Sequence, residues 1–213
     1  ALQGKNAVVS TDIGNICSVA NSYLRFEQEG VPSFLAAMTF GNCQYAVGSA
    51  MGAKVAAPHR PCVSYAGDGA FGMSFNELLT CARENIPITS VVFNNGQWGA
   101  EKKNQVLWFG DRYIGVNLER RDDGNLVSFT DIGKAMNLEA IRCTHEDEIV
   151  DAMNLAIDNQ MNKGKTTIVE IMATKELGDP FRRDAMKLPK RLLEKYQRTN
   201  QSIESQTGQP VDI

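Results

Sequence analysis

Apolar positions recur along this chain in two rhythms that alternate. Short β-branched or apolar runs at 6–11 (NAVVST), 33–39, 62–66, 88–93 (ITSVVF), 138–143 and 166–172 (TTIVEIM) read as strands. Between them, 16–26, 44–57, 74–84, 128–136 and 146–161 carry helical spacing. In the last of these, Ile149, Val150, Met153, Ala156, Ile157 and Met161 make one core face. Residues 44–57 are rich in Ala, Gly and Met, which suits a buried helix packed closely on a sheet. Ser74 and Glu77 form a Ser-x-x-Glu capping pattern that starts a helix near Ser74. Residues 98–125 read as a helix followed by an irregular excursion.

Strands alternating with helices predict an α/β fold, with a three-layer, doubly wound, mostly parallel sheet. Its crossovers are right-handed. Ligands in such sheets bind beyond the carboxyl ends of the strands. The expected organisation is one domain over 1–174, then a loop, a short basic helix at 189–196 and a polar tail over 175–213. The chain opens at Ala1 rather than Met and enters a strand almost at once, so a piece of a longer protein is expected.

Composition narrows the function. The 213 residues carry a net charge of −3 with no block of like charges, which argues against a nucleic-acid surface. No apolar run reaches the length of a membrane span, and no signal peptide is visible. The cysteines (Cys17, Cys43, Cys62, Cys81, Cys143) are odd in number and scattered, as in a reduced cytoplasmic protein. Only His59 and His145 are present, so a zinc site or a Ser-His-Asp triad is hard to build.

Candidate chemistry lies at three strand ends: Asp12-Ile13-Gly14-Asn15, Gly67-Asp68-Gly69 and Asn94-Asn95-Gly96-Gln97. The last two are one βαβ unit apart and should lie side by side. A carboxylate and an amide oxygen would then converge as hard oxygen ligands, suited to Mg²⁺ that shares its shell with phosphate oxygens. Flanking glycines let backbone N–H groups approach a diphosphate, and the helix starting near Ser74 would point its positive end there. Taken singly, each of these tripeptides is a common tight turn.

Gly-Asp-Gly at 67–69 followed by Asn-Asn at 94–95 resembles the signature of the thiamine diphosphate enzyme family. The resemblance implies that Asp68 and the Asn95 side chain bind Mg²⁺, with Gln97 joining through its carbonyl. It implies diphosphate contacts from Gly67, Gly69 and Ala70, and cofactor contacts from Asn15, Trp98 and Gly99. The segment Thr39-Phe40-Gly41-Asn42-Cys43 is similar to the family's loop beneath the thiamine rings. There the Gly41 carbonyl accepts from the aminopyrimidine, Asn42 is adjacent, and Cys43 stands where the family places a larger apolar side chain. A buried core thiol is the other reading of Cys43.

The stretches STDIGNICSVANSYLRFE, GAKVAAPHRP, QWGAEKKNQV and ELGDPFRRDAM resemble the sulfoacetaldehyde acetyltransferase branch of that family. That branch turns sulfoacetaldehyde and phosphate into acetyl phosphate and sulfite. Both substrates are anions. Lys102, Lys103, Arg182 and Arg183 are the candidate donors. Alternatively, Lys102-Lys103 is a solvated helix face and Arg182-Arg183 a salt bridge to Asp179 or Asp184. The resemblance further implies a pyrimidine-binding domain on a partner subunit that supplies the activating glutamate, and a homo-oligomer. No segment here matches that domain, so no catalytic residue is assigned and the chain alone is expected to be inactive. An acetolactate synthase-like enzyme, a 2-oxo acid decarboxylase and a non-catalytic binding domain stand as alternatives.

Overall fold

The six apolar runs become six strands: β1 (Val8–Thr11), β2 (Phe34–Ala36), β3 (Cys62–Gly67), β4 (Thr89–Asn94), β5 (Glu139–Cys143) and β6 (Thr167–Met172). The computed structural model describes residues 1–26, 31–120 and 122–175. Apart from Lys175, the tail expected over 175–213 lies outside the described residues. Every strand pair is parallel, in the order β2-β1-β3-β4-β6-β5. The expectation of a mostly parallel sheet is therefore met by a wholly parallel one.

Among the described residues, seven α-helices connect the strands: α1 (Asn15–Tyr23), α2 (Tyr45–Ala56), α3 (Asp68–Gly72), α4 (Leu78–Glu84), α5 (Gly99–Phe109), α6 (Phe129–Ala135) and α7 (Ile149–Asn162). Successive strand residues point to opposite faces, so the strands feed two cores. Val8, Cys62, Ala66, Val92 and Ile168 pack with Val47 and Ala50 of α2, Phe71 of α3, Leu78 of α4 and Phe129 of α6. Val9, Val63, Val91 and Val169 pack with Ala152, Met153 and Ala156 of α7. The result is three layers.

Ser10, Ser64 and Ser90 lie in register across β1, β3 and β4. Their small side chains let Ala46 and Ala50 of α2 sit almost without exposure on the sheet. Ser10 Oγ donates to the Ala46 carbonyl at 2.6 Å, and the Ser64 and Ser90 hydroxyls pair at 2.8 Å. The close packing expected of this helix on the sheet is present on this face, while Gly48 and Gly52 are exposed.

The helix start expected at Ser74 is present, since Ser74 precedes a helical segment that ends at Glu84, but its side chain makes no cap bond and a further short helix comes before it. The chain turns helical at Asp68, directly after β3, because Phe71 drives into the core edge-on to Phe129 at 5.1 Å. Ser74 Oγ donates back to the Ala70 carbonyl and caps nothing; a 3-10 turn at Phe75–Glu77 then leads into α4. The capping box that does form is His145 with Glu148, before α7. All five cysteines are free thiols. Among the described residues, no helix is long and apolar enough to cross a membrane.

Gln160 of α7 is buried and serves as a surrogate backbone. Its Oε1 accepts from Cys62 N at 3.0 Å, and its Nε2 donates to Cys62 O at 2.7 Å. Gln160→Leu removes both bonds from the core and leaves the Cys62 N–H without the Gln160 acceptor. A loss of about 2–4 kcal/mol in folding stability is expected, read as a lower urea midpoint at unchanged slope.

Candidate functional site

From β1 the chain turns toward β2, and from β3 toward β4, so a crevice opens between the carboxyl ends of β1 and β3. Asp12 follows β1 on one side and Asp68 follows β3 on the other.

Asp68 laces two strand ends together. Its Oδ1 accepts from Gly69 N at 2.9 Å. Its Oδ2 accepts from Gly96 N at 2.6 Å and Asn95 N at 3.2 Å, both just past β4. Burial pushes the Asp68 carboxyl above its ordinary value, and N–H groups of Gly69, Gly96, Asn95 and Gln97 pull it only part of the way back. No cationic side chain enters that balance. The carboxylate is therefore short of positive charge, the condition that favours a bound cation. Among the described residues, no group of three or more His, Cys, Asp or Glu could hold a metal ion. An ion at Asp68 would thus take its remaining oxygens from amides, carbonyls and a ligand, which is how Mg²⁺ shares phosphates.

The other candidates assemble around this corner. A side chain at Gly99 would begin 3.3 Å from Asn15 Nδ2 and 3.7 Å from Asn95 Nδ2, so the loops after β1 and β4 meet over Gly99. Asn95 Oδ1 accepts from Gln97 N at 3.2 Å. Trp98 lays its ring against Gly69, where a Cβ would stand 2.7 Å from the ring edge. The Gly69 N–H, expected to face a diphosphate, is turned onto the Asp68 carboxylate instead. The Ala70 carbonyl accepts from Met73 N and Ser74 Oγ within the first turns after β3. Gln97 is buried; its Oε1 accepts from Lys102 Nζ at 3.1 Å and its Nε2 donates to Lys175 O at 2.8 Å. Lys102 is therefore no simple solvated helix residue: its ammonium sits at this corner and 5.4 Å from the Tyr113 ring centroid. Lys103 is half-buried on the same helix. Arg182 and Arg183 lie outside the described residues.

Across the crevice, Gly41, Asn42 and Cys43 precede α2. Gly41 N donates to Ala37 O at 2.7 Å, and Asn42 Nδ2 to Cys43 O at 3.1 Å. The Cys43 thiol is half-buried and raised by that burial, then by the charges of Asp12 and Glu101. Glu101 belongs to α5, so the 39–43 loop faces the helix that begins at Gly99.

A largely apolar cavity of about 340 Å³ lies behind Asp68, lined by Trp98, Leu118, Leu126 and Phe129. Leu126 also fixes Gly96: a Cβ there would stand 2.4 Å from Leu126 Cδ2, and Gly96 has φ +69°. Gly96→Ala strains the backbone and displaces the N–H nearest Asp68. It is expected to cost about 1–3 kcal/mol of stability, read by thermal melting.

Glu170, which helps hold the site, stood outside the sequence candidates, while Asp12, Asn94 and Gly96 stood in the candidate loops without an assigned role. Glu170 is fully buried and accepts from Asn94 Nδ2 at 2.8 Å, Thr130 N at 3.0 Å, Phe129 N at 3.2 Å and Arg142 Nε at 3.1 Å. The available signals were a lone Glu in an apolar strand, an Asp at a strand end, and Gly96 in a turn-like tripeptide.

Comparison with known proteins agrees with this geometry. Residues 12–171 match the family described as "Thiamine pyrophosphate enzyme, C-terminal TPP binding domain", thiamine pyrophosphate being thiamine diphosphate. The chain is 57% identical over 192 residues to a sulfoacetaldehyde acetyltransferase of Castellaniella defragrans, covering 90% of this chain and 31% of that protein. It is 32% identical over 155 residues to an acetolactate synthase of Mycobacterium bovis, covering 73% and 25%. The crystal structure of benzoylformate decarboxylase from Polynucleobacter necessarius shares the fold at a TM-score of 0.70 and 22% identity, over 84% of this chain and 32% of that one. The chain thus spans about a quarter to a third of the length of these relatives. With its cation-poor carboxylate at the end of β3 laced to the Asn95-Gly96 turn, the chain belongs to the thiamine pyrophosphate enzyme family, as a C-terminal TPP-binding domain.

Proposed function

We propose that this chain forms the diphosphate and Mg²⁺ half of the active site of a thiamine diphosphate-dependent sulfoacetaldehyde acetyltransferase. The convergence of Asp68, Asn95 and Gly96 supports the cofactor assignment most strongly. The identity of 57% to a sulfoacetaldehyde acetyltransferase, against 32% to an acetolactate synthase, supports the reaction.

In this reading the Asp68 carboxylate and the Asn95 side-chain oxygen hold Mg²⁺, with the Gln97 carbonyl as a third protein ligand. Gly67, Gly69, Ala70, Asn15, Trp98 and Gly99 surround the diphosphate. The loop Gly41-Asn42-Cys43 supports the thiamine rings. When bound, the cofactor supplies an electron sink for cleavage of the carbon–sulfur bond. Asp68 and Asn95 orient it by fixing its anionic end. Lys102, held at the Gln97 corner, offers a cation to an incoming sulfonate or phosphate, and Lys103 adds positive charge on the same helix. A pyrimidine-binding domain on a partner subunit, within a homo-oligomer, provides the activating glutamate.

The test is an assay of the full-length protein with thiamine diphosphate, Mg²⁺, phosphate and sulfoacetaldehyde. Acetyl phosphate and sulfite are expected in equal amounts. No acetyl phosphate, alongside decarboxylation of a 2-oxo acid, would sink the proposed reaction and leave another enzyme of the family. Cofactor binding without turnover of either substrate would favour a binding domain.

A further inference from the structure

We infer that Asp12 is a positioning residue for the loop 39–43, holding it in place to receive the thiamine rings. The inference rests on the cofactor assignment proposed above.

The start of α2 lacks a cap of its own. Its N-cap residue, Gln44, has φ +70° and makes no side-chain cap bond; its amide instead donates to the Met73 carbonyl at 2.6 Å. Asp12 supplies the missing acceptor from another strand end. Its Oδ1 accepts from Tyr45 N at 2.7 Å and Ala46 N at 3.0 Å, 33 and 34 residues along the chain. Asp12 is itself fixed to the sheet, its N–H donating to the Tyr65 carbonyl at 3.0 Å. The carboxylate therefore transfers the position of β1 and β3 onto the first turn of α2. The loop joined to that turn is pinned at its other end by Gly41 N on Ala37 O, and Ile13 stands 3.8 Å from where a Gly41 side chain would begin.

The fully buried Asp12 places its second oxygen, Oδ2, without a partner, and the adjacent Thr11 hydroxyl likewise has none. An arrangement selected for stability alone would fill or replace an unpaired buried oxygen. One that uses a single oxygen to fix a helix start leaves the other idle. Asp12 makes no hydrogen bond to Asp68, Asn95 or Gly96, whose own bonds form the proposed Mg²⁺ corner. Its influence should therefore fall on the ring end of the cofactor and spare the diphosphate end.

Two probes separate those ends in the full-length protein: thiamine diphosphate, and inorganic pyrophosphate, each with Mg²⁺. Asp12→Ala is expected to weaken thiamine diphosphate about tenfold or more, while pyrophosphate affinity stays within about twofold. Asp12→Asn keeps one acceptor for Tyr45 and Ala46 and should restore most of the loss. Parallel weakening of both probes would mark a general structural role and overturn the inference, as would unchanged thiamine diphosphate affinity. If Asp12→Ala does not fold, Asp12→Asn carries the test. A selective loss of about threefold for thiamine diphosphate supports the inference, and equal movement of the two probes overturns it. A parent protein that binds neither probe overturns the cofactor assignment itself, an outcome distinct from any of these.

Discussion

In protein carrying Asp68→Asn, Mg²⁺-dependent binding of thiamine diphosphate is expected to weaken by at least about 100-fold, roughly 2.7 kcal/mol. Loss of an outer partner of a metal ligand already costs about 10–100-fold in affinity, and Asp68 is placed as a direct ligand. The cofactor-free protein should behave differently. The Asp68 carboxyl is raised by burial, so its charged form opposes folding once the pH exceeds the ordinary value of 3.8. Asparagine removes that charge and can keep an oxygen toward Gly96 and Asn95, giving up only the bond from Gly69. Melting of the cofactor-free variant should thus stay within a few degrees of the parent or rise. A structural carboxylate would show the opposite pattern, with melting depressed and cofactor affinity intact. Calorimetric titration and thermal melting on the same preparations decide between them.

Glu170→Ala should be the most damaging single change to the fold. It removes one fully buried carboxylate that accepts from four groups: two N–H groups at the start of α6, the Asn94 amide, which keeps its bond to the Val127 carbonyl, and Arg142, which keeps its bond to Ser128. Arg142 is partly exposed and can turn to solvent; the other three are buried or nearly so. Breaking such a group costs about 3–5 kcal/mol, a large fraction of the roughly 5–15 kcal/mol that holds a domain folded. The loss should appear as a urea midpoint shifted far down. The effect depends on pH in a defined sense. Burial raises the Glu170 carboxyl, but the Asn94 amide, the Thr130 and Phe129 N–H groups and Arg142 together hold it below the ordinary 4.5. Its ionised form therefore favours folding in full above that value, and the contribution fades as pH falls through the lowered one. The stability gap between the parent and Glu170→Gln should be widest near neutral pH and close in acid.

These two residues differ in how far the sequence exposes them. Asp68 is legible because its meaning is local: a Gly-Asp-Gly at one strand end and an Asn-Asn at the next must meet if the strands are parallel neighbours. The strands themselves are legible because ITSVVF and TTIVEIM are apolar and β-branched in lengths that suit a buried parallel sheet. Glu170 sits inside one of those runs, and its partners lie 28 to 76 residues away. Only the assembled sheet and α6 reveal why a charge is tolerated there. Asp12 is hidden for the same reason, since it caps a helix from a different strand end. The Ser74 pattern marks a helical start correctly but does not reveal the short helix before it: Phe71 seats against Phe129, and the chain is already helical at Asp68. Lys102 could be a solvated residue by sequence alone, and only the fold of Gln97 toward it places it at the site.

The central claim is that Asp68 and Asn95 hold the metal ion of a thiamine diphosphate site. Crystals of the full-length protein grown with thiamine diphosphate and Mn²⁺ in place of Mg²⁺ test it most directly, because anomalous scattering locates the ion independently of the protein atoms. One strong peak is expected within about 2.3 Å of an Asp68 carboxylate oxygen and the Asn95 side-chain oxygen, with diphosphate oxygens completing the shell. A peak at other residues, or bound cofactor with no ion at Asp68, would contradict it.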